Sequence, residues 1–340
     1  MTAGSPGSLM AAEMAEQPDV LARLLVRLPE LGERMHTLRP EPLAGTVLVA
    51  RGSSDNAAAF GRYLIEAASG RPTGLGSPSI TTRYHAEVDY TGYLFVALSQ
   101  SGRTPEIVTA AASARERGAR VVAVTNDATG PLASVADLTV ATDAGPELAV
   151  PATKTVTAQF LALAGLAAGL GSLPPALWAP APELPDVVRL LLADPHRGED
   201  LAAAWAHHDR LVVAGRGLGG AVAMEGALKI RETSGLFAEG ISVADLLHGP
   251  IAALDHDVPV LLVDLGGPTS PDVAELRRRL ASDGIPYADL ALPHEAGELP
   301  EAARAVAATV RLQQLARAFA LRRGWDPDRP RALSKVTATY

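Results

Sequence analysis

The chain has 340 residues, of which 48 % are apolar and only 4 % aromatic, and its net charge is −8. This composition excludes global disorder, and the length suits about two domains of ordinary size. The acidic balance, without a Lys/Arg-rich block, argues against nucleic acid as a partner. The absence of cysteine excludes disulfides, zinc–thiolate sites and a cysteine nucleophile within these residues.

The amino-terminal region predicts a flexible tail of about eight residues followed by a helix over 13–38. Apolar side chains recur there at helical spacing, with Leu21, Leu24, Leu25, Leu28 and Leu31 on one side. The opening residues lack the basic and apolar segments of a signal peptide, so a cytoplasmic enzyme is the expectation.

The first half of the chain then alternates strands with helices. Strands are predicted over 46–50, 93–99, 120–126 and near 138–142, with helices over about 57–68 and up to residue 117. This alternation is typical of a parallel sheet with helices on both faces. The apolar stretch 156–173 is nearly as long as a membrane span, but its Ala and Gly content and Gln159 favour a buried helix. We therefore expect no membrane partner.

A second series follows a segment with five prolines, residues 171–185, which is typical of an exposed linker. Strands are predicted over 210–217 and 258–267 and near 286–293, with helices between them and a last helix over about 300–323. The turns "ARGSSDNAA" and "AGRGLGGAV" occupy matching places in the two series and indicate an internal duplication. The glycines of "GRGLGG" lack the spacing and the later acidic residue of a dinucleotide fingerprint, so a close turn is the better interpretation.

The predicted fold is therefore α/β, with two tandem doubly wound parallel-sheet subdomains and flanking helices. The predicted boundaries are 1–38 for the tail and first helix, 39–184 for the first subdomain and 185–340 for the second.

Two turns of the first series concentrate small hydroxyl side chains behind a strand. The hydroxyls are those of Ser53, Ser54, Ser99, Ser101 and Thr104. Ligands of open α/β sheets bind beyond the carboxyl ends of strands, where helix N-termini favour anions. Gly52 and Gly102 allow close approach of the backbone. Either turn alone is better explained by helix capping, but the two together favour a phosphate monoester site. The G-x-x-x-x-G-K-[ST] pattern of a nucleotide P-loop is absent.

Five segments, in order along the chain, resemble the double-SIS (sugar isomerase) family. The family includes the isomerase half of glucosamine-6-phosphate synthase and free-standing amino-sugar-phosphate deaminases and isomerases. The segments are "MAAEMAEQP" (10–18), "LSQSGRTPE" (98–106), "GPELAVPATKT" (145–155), "GALKIRETSGLFAEGISVADLLHGPIA" (226–252) and "GWDPDRPRALSKVTATY" (324–340). The resemblance covers nearly the whole chain and implies two SIS subdomains.

The resemblance implies roles for particular residues. The phosphate would be held by Ser53, Ser54, Ser99, Gln100, Ser101 and Thr104. Glu232 falls at the family's proton-transferring carboxylate, with Lys229 as its companion lysine. Lys335 falls at the lysine near the sugar carbonyl, and Glu147 at a contact to a sugar hydroxyl. Ala152 departs from the family, which has a serine there.

His248 falls at the family's ring-opening histidine, which reaches into the site of the neighbouring subunit. The resemblance therefore implies a homodimer that shares this histidine between subunits.

The implied activity is that of a phosphosugar aldose–ketose isomerase or deaminase, converting glucosamine 6-phosphate to fructose 6-phosphate and ammonia. No cofactor and no metal are expected. The synthase's glutaminase needs a cysteine, so we expect no glutaminase activity. Two alternatives stay open: a lyase or dehydratase that abstracts the same C2 proton of an N-acetylhexosamine 6-phosphate, and a phosphosugar sensor without catalysis.

Spacing alone supports plainer interpretations. The predicted helix would carry a solvated ion-paired face made of Glu225, Lys229, Arg231 and Glu232. His248 would end a helix, and Lys335 would be a surface lysine near the terminus. The residues His207, His208, Asp255, His256 and Asp257 lack the spacing of metal ligands, which favours exposed polar residues.

Overall fold

The computed structural model describes residues 5–335. They form two compact units that interleave along the chain. The first unit comprises residues 20–146 and 158–174, and the second comprises residues 5–19, 147–157 and 175–335. The subdomain boundaries at residues 38 and 184 stay a prediction. Residues 1–4 of the predicted tail and residues 336–340 of the last family-like segment lie outside the described residues.

Regular elements alternate along the described chain. The helices are α1 (Ser8–Ala15), α2 (Gln17–Leu38), α3 (Ser53–Ser69), α4 (Ser79–Thr82), α5 (Pro105–Glu116), α6 (Pro131–Ser134), α7 (Lys154–Leu170), α8 (Leu184–Ala193), α9 (His196–Ala204), α10 (Leu218–Ser234), α11 (Val243–Leu247), α12 (Ser270–Ser282) and α13 (Glu301–Arg322). The strands are β1 (Gly45–Val49), β2 (Thr73–Leu75), β3 (Tyr93–Leu98), β4 (Arg120–Thr125), β5 (Leu138–Ala141), β6 (Arg210–Gly215), β7 (Phe237–Ser242), β8 (Val260–Val263) and β9 (Tyr287–Asp289). Short 3₁₀ helices span Pro250–Ala253 and His294–Glu298.

The first unit is built on a five-stranded parallel sheet in the order β2-β1-β3-β4-β5. Residues 94–98 of β3 and 121–125 of β4 are buried without alternation. Such continuous apolar strands require cover on both faces, as parallel sheets have. β5 lies at the edge and alternates buried with half-buried residues. Phe60 of α3 stacks on Phe160 of α7 with ring centroids 4.5 Å apart, which adds to the core.

The second unit has a four-stranded parallel sheet in the order β7-β6-β8-β9. α10 packs against this sheet and also against α13. As a result most of α10 and α13 is buried, including several polar side chains. The predicted fold class, two parallel-sheet α/β subdomains with flanking helices, is confirmed.

The internal duplication predicted from the two glycine turns has a backbone counterpart. Gly52 before α3 has φ 61° and ψ −136°, and Gly217 before α10 has φ 61° and ψ −127°. Both helices are 17 residues long and both end at a left-handed glycine, Gly70 or Gly235. The turn around Gly215 is also a close turn as expected, because a Cβ there would collide with the Gly219 carbonyl.

Two sequence-based expectations about irregular segments are wrong. The predicted tail is ordered at Gly7, whose N–H donates to Asp326 at 2.9 Å, and α1 begins directly after it. The predicted exposed linker is anchored from residue 176 onward, because the carbonyls of Ala176 and Leu177 accept hydrogen bonds from the start of α13. Trp178 and Ala181 are buried there, with 7 % and 1 % exposure, so apolar packing outweighs the proline content.

Several elements differ from the pattern-based prediction. The helix predicted over 13–38 is two helices, α1 and α2, that meet at Glu16. The edge strands β2 and β7 and the helices α8 and α9 were not predicted. The apolar helix α7 is buried along nearly all its length, as expected. Among residues 5–335, no helix has both the length and the apolar character needed to cross a bilayer.

Candidate functional site

The residues predicted to hold a phosphate lie on two loops of the first unit, here called the serine loops (residues 51–54 and 99–104). They follow β1 and β3, which are paired neighbours in the parallel sheet. Because parallel strands end at the same sheet edge, the two loops lie side by side before the N-termini of α3 and α5. The fold thus brings the hydroxyl-bearing residues of the two loops together at one edge.

Glycine is required by the backbone in both serine loops. Gly52 has φ 61° and Gly102 has φ 63°, values in the left-handed region that other residues rarely adopt. A Cβ at Gly102 would approach the hydroxyl of Thr125 to 2.9 Å, whereas one at Gly52 would meet no atom within 4 Å. The space before α3 is therefore open at Gly52, as close approach of an anion to the backbone requires.

The hydroxyls of the serine loops are not used as helix caps. Gly52 is the N-cap of α3, and Thr104 is the N-cap of α5 without a side-chain capping bond. The Thr104 hydroxyl lies 3.1 Å from that of Ser99 instead. The Ser101 hydroxyl accepts the Arg103 N–H at 3.2 Å. Capping therefore does not account for these two loops.

The 99–104 loop is anchored to the chain beyond β4. Asn126 N–H donates to the Gln100 carbonyl at 3.0 Å, and Leu132 N–H donates to the Gly102 carbonyl at 3.0 Å. Arg103 pairs with Asp127 at 3.0 Å. These bonds hold the loop backbone, while the Ser99 and Ser54 side chains are buried and those of Ser53, Gln100 and Ser101 are half-buried.

The predicted catalytic carboxylate and its companion lysine are in direct contact in the second unit. Glu225, Lys229 and Glu232 project from one face of α10, since they are four and three residues apart. Lys229 Nζ donates to Glu232 Oε2 and lies 3.7 Å from Glu225 Oε1. Lys229 and Glu225 are buried, whereas the Glu232 side chain is 22 % exposed. Glu232 is thus the accessible end of a buried row of alternating charges.

The solvated-face interpretation of these residues is therefore wrong for Glu225 and Lys229. Burial lowers the pKa of Lys229, but the carboxylates of Glu232 and Glu225 raise it, and the net pKa is above its ordinary value. Glu147 adds to this effect from farther away. Lys229 therefore stays a buried ammonium that orients the carboxylate of Glu232.

Glu147 and Lys335 form a second charged pair in the same unit. Lys335 Nζ donates to Glu147 Oε2 at 2.8 Å. The carboxylate also accepts the N–H groups of Thr153 at 2.9 Å and Thr155 at 3.2 Å, and the Thr155 hydroxyl at 2.8 Å. Burial raises the pKa of Glu147, but the ion pair with Lys335 and these hydrogen bonds outweigh it and lower the pKa overall. Lys335 is thus held in an ion pair and is not a free surface lysine.

Glu13 is a residue of this region whose importance was not predicted from the sequence. It is 4 % exposed, and its Oε1 accepts the N–H groups of Leu148 and Ala149, which follow Glu147. Burial raises its pKa, although these hydrogen bonds lower it. Glu13 stands in the family-like segment "MAAEMAEQP", which was the only sequence signal for it.

His248 is not joined to the charged residues of α10. It is exposed at the end of α11, where its N–H donates to the carbonyls of Ala244 and Asp245 at 3.2 Å. Within residues 5–335, no hydrogen bond or ion pair links its imidazole to Glu232 or Lys229. Its position thus agrees with a helix-end histidine.

Among residues 5–335, one group has metal-ligating atoms close together. Asp255, His256 and Asp257 bring their ligand atoms within 4.8 Å of one another on an exposed turn. The turn itself explains this proximity, because Asp257 N–H donates to Asp255 Oδ1 at 2.9 Å and the three residues are consecutive. His208 is not part of the group, since its Nδ1 faces the Asp257 carbonyl at 3.0 Å.

Comparison with known proteins gives consistent matches over most of the chain. The SIS domain family matches residues 46–168 and 205–296. A glutamine–fructose-6-phosphate aminotransferase (isomerizing) from Symbiobacterium thermophilum is 35 % identical over 98 % of this chain and 59 % of its own length. The chain thus spans less than two thirds of that relative.

Two solved structures have the same architecture. One is the C-terminal domain of glucosamine-fructose-6-phosphate aminotransferase from Francisella tularensis, with a TM-score of 0.78, 25 % identity and coverage of 95 % of this chain and 98 % of that one. The other, from Silicibacter pomeroyi DSS-3, is named as a candidate phosphosugar isomerase and has a TM-score of 0.79 and 31 % identity. The match covers 94 % of this chain and 99 % of the Silicibacter pomeroyi chain.

Proposed function

Because the chain belongs to the SIS domain family, we propose that it is a phosphosugar isomerase that acts on an amino sugar 6-phosphate. The proposed reaction converts glucosamine 6-phosphate and water to fructose 6-phosphate and ammonia. The names of its relatives support the phosphosugar class of substrate. The chain contains no cysteine, so cysteine-dependent release of ammonia from glutamine is not part of the proposal.

The serine loops bind the phosphate ester in this proposal. Two helix N-termini supply N–H groups and a partial positive charge, and the hydroxyls supply further donors. The residues that bind the ester are Ser53, Ser54, Ser99, Gln100, Ser101 and Thr104. Two observations support this role: the Thr104 hydroxyl makes no capping hydrogen bond, and the space at Gly52 is open.

Glu232 transfers the proton between C2 and C1. Once the sugar ring is open, the C1 aldehyde makes the C2 proton acidic, and the carboxylate removes it to leave an enolamine. Return of the proton to C1 gives a CH₂OH group at C1 and an imine at C2. Water then adds to the imine carbon and ammonia leaves, which yields the ketose. Lys229 keeps the carboxylate oriented through the reaction.

The ammonium of Lys335 stabilises the negative charge that develops on the carbonyl oxygen during proton transfer. The Lys335 side chain is 24 % exposed although it is paired with Glu147, so its ammonium is accessible to a ligand. Glu147 fixes the position of Lys335, and its predicted contact to a sugar hydroxyl is not part of this scheme because its side chain is fully buried.

His248 opens the sugar ring in this scheme by moving a proton between O5 and O1. An imidazole suits this step, because one ring nitrogen can accept a proton while the other donates one. The exposed position of His248 supports its action in the site of a neighbouring subunit of a homodimer.

The observation that carries the proposal is the contact between Lys229 and the accessible carboxylate of Glu232. The test is to incubate the purified protein with glucosamine 6-phosphate and to quantify ammonia and fructose 6-phosphate in parallel. We expect equal amounts of both, and part of the deuterium of substrate labelled at C2 should appear at C1 of the ketose. Glu232→Gln should lower turnover by about a thousandfold, within the range of general acid–base catalysis. Glu275→Gln, on the exposed surface of α12, is the matched control and should keep full activity.

Other results would overturn the proposal. An ultraviolet-absorbing product from N-acetylglucosamine 6-phosphate, with no ammonia from the amine, would indicate the lyase or dehydratase instead. Binding of both sugars without turnover, unchanged in Glu232→Gln, would indicate a sensor.

A further inference from the structure

An ion pair connects the first serine loop to α5, the helix that follows the second serine loop. Arg51, in the first loop, donates from Nε to Glu106 Oε2 at 3.1 Å, and its Nη2 lies 2.9 Å from the same oxygen. Its Nη1 donates to the Ala50 carbonyl at 3.1 Å, so the guanidinium is held at three nitrogens. The Arg51 side chain is 43 % exposed, whereas Glu106 is 6 % exposed. The pair therefore has one buried end and one end beside the loops.

Glu106 lies where its charge affects any anion at the loops. It is in the first turn of α5, whose N-terminus follows the hydroxyl-bearing residues of the second loop. A carboxylate in the first turn interacts with the positive end of the helix and opposes a second anion there. Asp55, in the first turn of α3, adds another carboxylate on the Arg51 side. Burial raises the pKa of Asp55 by more than the charge of Arg51 lowers it.

We propose that Arg51 is a positioning residue of the phosphate site, which pairs with Glu106 so that both helix N-termini stay available to the anion. Arg51 acts through Glu106 and makes no bond to the phosphate. This inference rests on the proposed phosphate site. The geometry supports it, because the guanidinium directs both Nε and Nη2 at Glu106 and thereby also ties the first loop to α5.

A double-mutant cycle tests the inference with inorganic phosphate as the probe. Kd is measured by calorimetry at constant ionic strength for the wild type, Arg51→Met, Glu106→Gln and the double variant. We expect Arg51→Met to raise Kd about tenfold, since it leaves a buried carboxylate without its cation beside the anion. Replacement of that carboxylate by an amide should restore binding, so the double variant should lie within about threefold of the wild type. Glu106→Gln alone should also stay within about threefold.

The matched control is Arg71→Met, an exposed arginine of the same unit, which should leave Kd unchanged. Thermal unfolding by circular dichroism shows that each variant is folded. A double variant as weak as Arg51→Met would overturn the inference, because it would mean that the guanidinium binds the phosphate itself. A wild-type protein that does not bind phosphate, or binds it equally well in Ser53→Ala and Ser101→Ala, would overturn the proposed phosphate site and this inference with it. The two failures are therefore distinguishable.

Discussion

The ammonium of Lys335 lies 2.8 Å from the carboxylate of Glu147, 188 residues earlier in the chain. The carboxylate is fully buried and is also bonded to Thr153 and Thr155. The pair therefore fixes the last described residue to the loop that precedes α7. In the proposed reaction, this contact sets the position of the ammonium that faces the substrate.

Glu147→Gln should lower stability in a pH-dependent way. The pKa of Glu147 is below its ordinary value of 4.5, so the paired carboxylate stabilises the fold above that pH and the contribution is lost as the pH falls through the lowered pKa. We expect a loss of about 1–3 kcal/mol in the free energy of unfolding at pH 7. The difference from wild type should shrink as the pH falls below 4.5 and through the lowered pKa. Urea unfolding followed by circular dichroism at pH 7 and at acidic pH measures both, and an equal loss at the two pH values would contradict the ion-pair explanation.

Glu13→Gln should have the opposite pH dependence. The pKa of Glu13 is raised, mainly by burial, so the folded protein retains a proton that the unfolded chain loses above pH 4.5. In the wild type, the contribution of Glu13 to the free energy of unfolding therefore falls as the pH rises from 4.5 through the raised pKa. The amide keeps an oxygen for the N–H groups of Leu148 and Ala149 but has no charge. Relative to wild type, the variant should gain stability between pH 4.5 and pH 7. The same urea series detects this gain, and a variant that loses stability over that range would show that the charge itself is needed.

Mixed dimers should reveal whether His248 acts across subunits. If it does, a heterodimer of Glu232→Gln and His248→Ala has one site with both defects and one intact site. Random exchange at equal amounts makes half of the dimers mixed, so activity on glucosamine 6-phosphate should recover to about a quarter of wild type. Each variant alone, mixed with itself, is the control. Activity that stays at the average of the two parents would place both residues in the site of one subunit.

Gly102→Ala should disturb the second serine loop. Gly102 has φ 63°, and a Cβ there would approach the Thr125 hydroxyl to 2.9 Å. We expect a loss of about 1–2 kcal/mol in the free energy of unfolding, the usual cost of a left-handed alanine, together with weaker phosphate binding. The matched control is Gly74→Ala in β2, where a Cβ meets no atom within 4 Å. Equal effects of both substitutions on phosphate binding would contradict a specific role for the loop.

The fold was largely predictable because its signals are local. Apolar runs such as residues 94–98 are long enough to identify buried parallel strands, and Gly52 and Gly217 mark equivalent turns in the two series. β2 has only three residues and β7 contains a glycine and exposed positions. Such edge strands bury little surface, so their sequences have no strong apolar pattern.

The roles given to Glu232, Lys229 and Lys335 came only from the family resemblance, and they stay predictions. Local spacing made Glu225 and Lys229 an ordinary exposed helix pair, yet both are buried. Spacing along one helix records which side chains are neighbours, whereas burial depends on the sheet and on α13, which pack on α10 from distant parts of the chain.

The sequence by itself thus determined the α/β class, the doubled sheet and the two hydroxyl-bearing turns, because these follow from hydrophobic periodicity and from glycine's backbone freedom. Only the tertiary structure decided that Lys335 pairs with Glu147 and that Arg51 pairs with Glu106. It also decided that Glu13 accepts hydrogen bonds from the loop that follows Glu147. These contacts connect residues far apart in the chain, and the energy of a charged side chain depends on which partners the fold brings within hydrogen-bonding distance.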